Sequence, residues 1–371
     1  MSAASFGDNE AWYAAGGPEQ DVVVSTKIRL SRNLASFPFP EYERGDDGER
    51  VQALVFDAFT RMDNPESFQA ISTGRLDSLG KRILAERGVI PHESAGRFDP
   101  VDGIPPGIVV RSDGRLTCTV NDGDHVRISS FTAGLDPASV WENAHGVDEK
   151  MQESLQFAAS HEFGYLTSSL SDAGSGMKLT VQVHLPCVSL DGQLLTILET
   201  AQARGFTFSS AFGAGTSAGS SLGAYYNVTN NNSFTGNEFD QIASLSSVAV
   251  YLADFERNLR AQVAENKPTI LRDRVYKSFA AAKFSSFLTE RDAIACLSDI
   301  KLGIDTGLFS GAGYSDLSAL LFRIKEAHLA FIAQSVNFAF EKDVDGSADL
   351  MISRMRSLIV HEALERVEVK I

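Results

Sequence analysis

The chain has 371 residues, a formal net charge of −15, and 43% hydrophobic and 9% aromatic residues. That length favours two domains, and the apolar content is enough to build a core in each. The acidic balance argues against nucleic acid and anionic membrane as partners, while leaving room for a local cationic pocket. Cys118, Cys187 and Cys296 are widely spaced and odd in number, giving neither a metal spacing nor a disulfide framework. With no basic-apolar leader pattern and no apolar run of membrane-spanning length, the expected setting is soluble and cytoplasmic.

Along the chain, residues 51–61 and 76–87 carry apolar side chains at helical spacing. Residues 108–111, 116–121 and 126–130 follow as short strands, with Asp113-Gly114 as a hairpin turn between the first two. Residues 178–184 alternate and are rich in β-branched side chains, with Pro186 closing them off, so a further strand is predicted. Residues 206–209 and 225–228 add two more. From about Phe239 the texture changes to long helical patterns, at 240–263, 270–287 and 318–340, with Lys267-Pro268 as a junction. The pattern predicts an α/β (α+β) domain on an antiparallel sheet, followed by a helical part.

Four segments carry chemistry. They are Val24-Ser25-Thr26-Lys27-Ile28-Arg29-Leu30-Ser31-Arg32-Asn33-Leu34; Asn121-Asp122-Gly123-Asp124-His125-Val126-Arg127; a block from Gly164-Tyr165-Leu166-Thr167-Ser168 through Gly174-Ser175-Gly176-Met177-Lys178 to His184-Leu185-Pro186; and Leu297-Ser298-Asp299-Ile300-Lys301-Leu302-Gly303-Ile304-Asp305. The second resembles the Asn-Glu-Glu-Asp-His-Leu-Arg segment of the ATP:guanidino phosphotransferases. The first is similar to that family's Ser-Ser-Arg-Ile-Arg-Leu-Ala-Arg-Asn-Leu, and the fourth resembles the bacterial protein arginine kinases (McsB type). Each is weak alone, but four in order across the chain are a strong signal.

The resemblance implies a phosphagen-kinase/glutamine-synthetase-like antiparallel sheet flanked by helices, with a C-terminal helical domain. It divides the chain into an N-terminal extension (1–20), a catalytic domain (21–265) and a helical, homodimerising domain (266–371). The implied co-substrate is ATP with Mg2+, and the implied acceptor is a protein arginine. The family's phosphate-binding arginines fall on Lys27, Arg29, Arg127 and Lys178, with a fifth near Ser209. Arginine suits that task because its planar fork donates two parallel hydrogen bonds to phosphate, which lysine cannot do. Ser25, Thr26, Ile28, Leu179, Thr180, Val181, Gln182 and Ser210 flank these positions and are implied in the same nucleotide site, with no metal ligand from protein side chains.

A guanidinium acceptor needs carboxylates that orient its nitrogen. Asp122 and Asp124 match the first glutamate and the aspartate of the motif, and Glu162 is a more distant candidate. Gly123 stands where the second glutamate is expected, Ser169 where the family's Thr-Ser-Cys-Pro-Thr-Asn has cysteine, and Ala214 or Ser217 where a later carboxylate falls. Three functions therefore stay open: a working protein arginine kinase, a pseudokinase that binds nucleotide or a partner, and a dimeric scaffold that binds no nucleotide.

Plainer readings stand beside these. Asp122-Gly123 is also an ordinary tight turn, and Arg29 and Arg32 could form surface ion pairs. Arg356, with Arg354 and His361, is implied as a phosphoarginine or anion site by a family segment, or else lines a solvated helix face. Residues 213–219 lack the acidic residue a dinucleotide loop requires and read as a flexible loop. His161-Glu162 lacks the second histidine of a zinc site. Asp343-Val344-Asp345-Gly346 lacks the glutamate that completes a calcium loop and reads as a helix-ending turn.

Overall fold

A computed structural model describes residues 11–90, 106–213, 217–336 and 338–370. Its elements in chain order are β1 (Val23–Arg32), α1 (Asp47–Phe59), β2 (Phe68–Ser72), α2 (Ser78–Glu86), β3 (Gly107–Arg111), β4 (Leu116–Asp122), β5 (Asp124–Ala133) and α3 (Pro137–Gln152). Then come β6 (Ala159–Ser160), β7 (Gly164–Tyr165), β8 (Met177–His184), α4 (Pro186–Leu190), α5 (Leu194–Ala203), β9 (Phe206–Ser210) and β10 (Tyr225–Asn230). The last part holds α6 (Glu238–Asn266), α7 (Pro268–Phe284), α8 (Glu290–Asp305), β11 (Phe309–Ser310), α9 (Tyr314–Arg323), α10 (Glu326–Ser335), α11 (Ala348–Ala363) and β12 (Glu368–Val369). Eight strands form one sheet in the order β2-β3-β4-β5-β1-β8-β10-β9. None of the helices among the described residues is long and apolar enough to cross a membrane.

The chain divides into two compact units, the first made of Met1–Ala15, Ser25–Val181 and Thr229–Ser247. In it the central residues of the antiparallel strands β1, β4 and β5 alternate between two faces. Ile28, Leu30, Leu116, Cys118, Val120, Val126 and Ile128 point to one face and are buried. Helix α1 covers that face with Val51, Val55 and Phe59, and α3 with Val140, Ala144 and Met151. Helix α3 starts where it does because Pro137 occupies its first turn and the Asp136 carboxylate accepts the Ser139 N–H at 3.1 Å. Its inner face also carries Asp148, which pairs with Arg32 of β1 at 3.0 Å, both side chains at most 3% exposed. The opposite face of the same strands is polar, and the candidate site lies there.

The second unit comprises Gly16–Val24, Gln182–Val228 and Val248–Ile371. Its centre is α8, which contains the fourth sequence segment, and most residues of that segment have a structural task. Leu297, Ile300 and Leu302 are buried. Ser298 shares a 2.8 Å hydrogen bond with His184, and Asp299 accepts from Arg274 and Ser278, each at 2.7 Å. Lys301 donates to the Asp21 carbonyl and to Asp305. At Gly303 an added Cβ would lie 2.5 Å from Phe309 and 2.6 Å from Val275, so only glycine lets α7 approach this closely. The segment is a packing signature.

Several expectations are revised. The helix predicted over 318–340 is two helices, α9 and α10, because Lys325 is extended (φ −65°, ψ 146°) between them. Apolar spacing runs through the break, which Arg356 secures by donating to the Ile324 carbonyl at 2.8 Å. Turn residues 342–346 lead into α11 and do not end a helix. Strand β2 and helices α3, α5, α8 and α11 lie outside the segments predicted from the sequence.

Candidate active site

Four cations share the polar face of the central strands. Antiparallel register sets Lys27 opposite Phe131, Arg29 opposite Ser129 and Ser31 opposite Arg127, so these side chains emerge on one side. Lys178 stands at an outward position of β8, the strand beside β1. Ser25 lies on the cationic face of β1. Thr26 and Ile28 turn away: Thr26 donates to the Gly134 carbonyl at 2.7 Å, and Ile28 is fully buried. Along β8, Leu179 and Val181 are buried, while Thr180 shares a 2.9 Å hydrogen bond with Thr229. Gln182, Ser209, Ser210 and Ser217 belong to the second unit, and Ala214 lies outside the described residues.

Like charges crowd one another on this face. Burial and then the Arg29 charge push the Lys27 ammonium down to about 8. Arg29 is likewise lowered by burial and by Arg127, with Asp172 and Asp124 opposing. Lys27 also sits 4.8 Å from the centre of the Phe131 ring, which stacks on Trp12.

The counter-charge comes from Asp172, which the sequence did not single out. Its side chain is 4% exposed; it accepts from Arg29 at 2.5 Å and from Lys178 at 3.3 Å, with Ser171 adding a third hydrogen bond at 3.0 Å. Burial alone would raise its pKa, but the Arg29 and Lys178 charges outweigh that and hold it below the ordinary carboxylate value. Its one sequence signal was chemical: an aspartate where the compared motif has asparagine.

Three sequence segments meet at Asn33. Its amide donates to Asp124 at 2.9 Å and to the Leu166 carbonyl at 3.1 Å, and accepts the His125 N–H at 2.9 Å. Asp124, fully buried, also accepts the Ser168 N–H at 2.8 Å and Arg127 Nε at 3.0 Å. It therefore positions Arg127 and the 166–168 loop. The His125 Nδ1 accepts the Leu34 N–H at 2.9 Å, which leaves the proton on Nε2, 3.3 Å from Glu43. Asp122 lies at the mouth of the β4–β5 turn, 4.0 Å from Arg127 Nη1. Glu162 and Ser169 are exposed, and Ser169 bonds Ser171 at 3.0 Å.

Gly123 is the apex of that turn, at φ +77°, two residues after Asn121 at φ +58°. A Cβ there would lie 2.4 Å from Arg127 Nη2. Gly123→Glu is therefore expected to dislodge Arg127 from Asp124 and to cost about 1–3 kcal/mol in backbone strain. Urea unfolding should show the loss, and phosphoarginine output should not rise; a rise would mean that the turn accommodates a carboxylate.

Arg356 is buried in the second unit and donates to the Ile324 and Leu288 carbonyls, each at 2.8 Å. Arg354 pairs with Glu341 at 2.7 Å, and His361 shares a 3.3 Å hydrogen bond with Ser357. So Arg356 does not line a solvated face.

Residues 50–259 match the family model "ATP:guanido phosphotransferase, C-terminal catalytic domain", and residues 268–363 match "Protein-arginine kinase McsB C-terminal domain". The chain is 29% identical to the protein-arginine kinase of Pelotomaculum thermopropionicum over 90% of its own length and 92% of the relative's. It is 30% identical to that of Halothermothrix orenii, over 93% and 96%. Among solved structures, lombricine kinase superposes with a TM-score of 0.56 at 18% identity, over 71% of this chain and 73% of that one. The duplicated taurocyamine kinase of Schistosoma mansoni superposes with a TM-score of 0.57 at 17% identity. This chain matches 74% of its own length and spans 40% of that duplicated one. At such identities the structural likeness shows the fold alone, while the family models and the relatives carry the assignment: the chain belongs to the ATP:guanido phosphotransferase family, in its protein-arginine kinase branch.

Proposed function

We propose that this protein binds Mg-ATP on the cationic face of β1, β5 and β8 and transfers the γ-phosphoryl group to a protein arginine. The observation that carries this reading is the set Lys27, Arg29, Arg127 and Lys178, crowded on one face with a carboxylate already held between two of them. Phosphoryl transfer is positioning plus charge neutralisation, and these four groups supply both. Arg29 and Arg127 offer bidentate forks to phosphate oxygens, and Lys27 and Lys178 add point charges. Ser25 flanks them on the same face.

Magnesium would arrive on the phosphates. Bound there, it would neutralise charge on the β- and γ-phosphoryl oxygens. In the transfer, an arginine side chain gives up one N–H proton to water and its nitrogen forms a bond to the γ-phosphorus. The bond from that phosphorus to the β,γ-bridging oxygen breaks, and ADP leaves with the electron pair.

A second reading, nucleotide binding without transfer, is favoured by one observation: Arg127 fills the space where Gly123 lacks a side chain. We further infer a homodimer through the helical domain at 266–371. A reducing cytoplasm suits the three buried free thiols.

Lys27 supplies the pH test. Phosphate favours its charged form, so its contribution to binding is complete below about pH 8 and is lost as pH rises past that value. Mg-ATP affinity should fall by up to about tenfold per pH unit above it. Lys27→Arg should flatten the profile, because guanidinium stays charged. Calorimetric titrations at pH 7 and 9 check this, and an equal slope in both proteins would remove Lys27 from the seat.

A further inference from the structure

We propose that Asp172 is the carboxylate that receives the substrate guanidinium, after nucleotide phosphates take Arg29 and Lys178 from it. This rests on the phosphate seat proposed above.

Three observations lead there. First, Asp172 lies against two of the phosphate cations, 2.5 Å from Arg29 and 3.3 Å from Lys178, with a side chain only 4% exposed. A triphosphate on the seat competes with it for both. Once those cations turn to phosphate, a buried carboxylate is left without its counter-charge, and a cation must replace them. The arginine side chain brought in for phosphorylation is such a cation, and its planar fork matches the two carboxylate oxygens.

Second, the other acidic groups are less suited. Gly123 supplies no carboxylate, and Asp124, fully buried, keeps the Asn33 and Ser168 donors even when Arg127 turns to phosphate. Asp122 faces Arg127.

Third, the loop that carries Asp172 is built to hold its place. Leu166 and Ser168 are tied to Asn33 and Asp124, and Ser175 Oγ donates to the Ser233 carbonyl at 3.1 Å. Gly174, at φ +106°, packs so closely that a Cβ would lie 2.6 Å from that same carbonyl. The carboxylate can thus stay still while the flexible cations exchange partners. Anion and cation sites are then filled in order, nucleotide first, and the guanidinium is set beside the phosphoryl group it attacks.

The test uses the full-length chain, Mg-AMPPNP as a non-transferable nucleotide and N-acetyl-arginine methylamide as the guanidinium probe. Nucleotide binding is measured by calorimetry and probe binding by ligand-observed NMR. Wild type should bind the probe about tenfold more tightly with Mg-AMPPNP present than without it, as expected for one charge-assisted pair. Asp172→Asn should bind Mg-AMPPNP several-fold more tightly than wild type yet lose that gain in probe affinity, and Asp172→Glu should keep part of it. The inference is overturned if Asp172→Asn with bound nucleotide takes up the probe as wild type does, or if its nucleotide affinity is unchanged. If wild type binds no Mg-AMPPNP at all, the phosphate seat itself fails, and this inference fails with it. A variant that bound nucleotide more tightly and made more phosphoarginine would instead identify Asp172 as a simple block on the seat.

Discussion

Arg29→Ala is expected to weaken Mg-ATP binding by roughly 10- to 100-fold, because one charge-assisted hydrogen-bonded group is worth about 1.5–3 kcal/mol. The effect should exceed that of Lys178→Ala, since a guanidinium offers phosphate two parallel donors and an ammonium is a point charge. Arg29 also stands next to Arg127 and Lys27 in charge terms, so its loss lowers the potential of the whole seat. Stability should change much less, because Asp172 keeps Lys178 and Ser171 as partners. Arg29→Lys should fall between the two. Isothermal titration at fixed ionic strength reads the difference, and unchanged affinity in Arg29→Ala would place the phosphates elsewhere.

Asp148→Ala should cost the fold more than any change at the site itself. Arg32 pairs with Asp148 through two contacts of 3.0 Å, Nε to Oδ1 and Nη2 to Oδ2, with 3% and 2% of the side chains exposed. Arg32 also donates to the Ser31 and Ser175 carbonyls and lies 3.6 Å from the centre of the Tyr165 ring. Removing the carboxylate leaves a buried guanidinium without its counter-charge, a loss of about 3–5 kcal/mol. Because β1 carries Lys27 and Arg29, nucleotide binding should weaken as well. The double variant Arg32→Met with Asp148→Leu should regain much of the stability, since a well-packed apolar pair can match a buried ion pair. Urea unfolding of the three proteins decides it, and an Asp148→Ala protein within 1 kcal/mol of wild type would contradict the buried-pair account.

The sequence announced the types of residue at the site better than their partners. Strand periodicity at 178–184 and the Asp113-Gly114 turn were legible because they are local patterns, and the structure has β8 and the β3–β4 hairpin there. Arg29 and Arg32 were weighed together, but a separation of three puts them on opposite faces of β1, one on the seat and one against α3. Asp172 pairs with a residue 143 positions away, a distance over which spacing carries no information. The same holds for Arg356, whose two carbonyl partners lie 32 and 68 positions off. Gly123 was visible as a missing carboxylate. That Arg127 fills the space above it depends on the turn geometry, which residue types alone do not carry.

The central claim is transfer to arginine, and one experiment meets it most directly. The purified full-length chain is incubated with Mg-ATP and reduced, carboxymethylated lysozyme, an unfolded and arginine-rich acceptor. Phosphoarginine is then read by mass spectrometry under neutral handling that preserves the acid-labile N–P bond, with Mg-ATP binding titrated in the same preparation. Time-dependent phosphoarginine that needs both ATP and Arg29 is the predicted result. Saturable Mg-ATP binding with no phosphoarginine on the acceptor or on the protein itself would contradict it, and would leave nucleotide binding as the function of the seat.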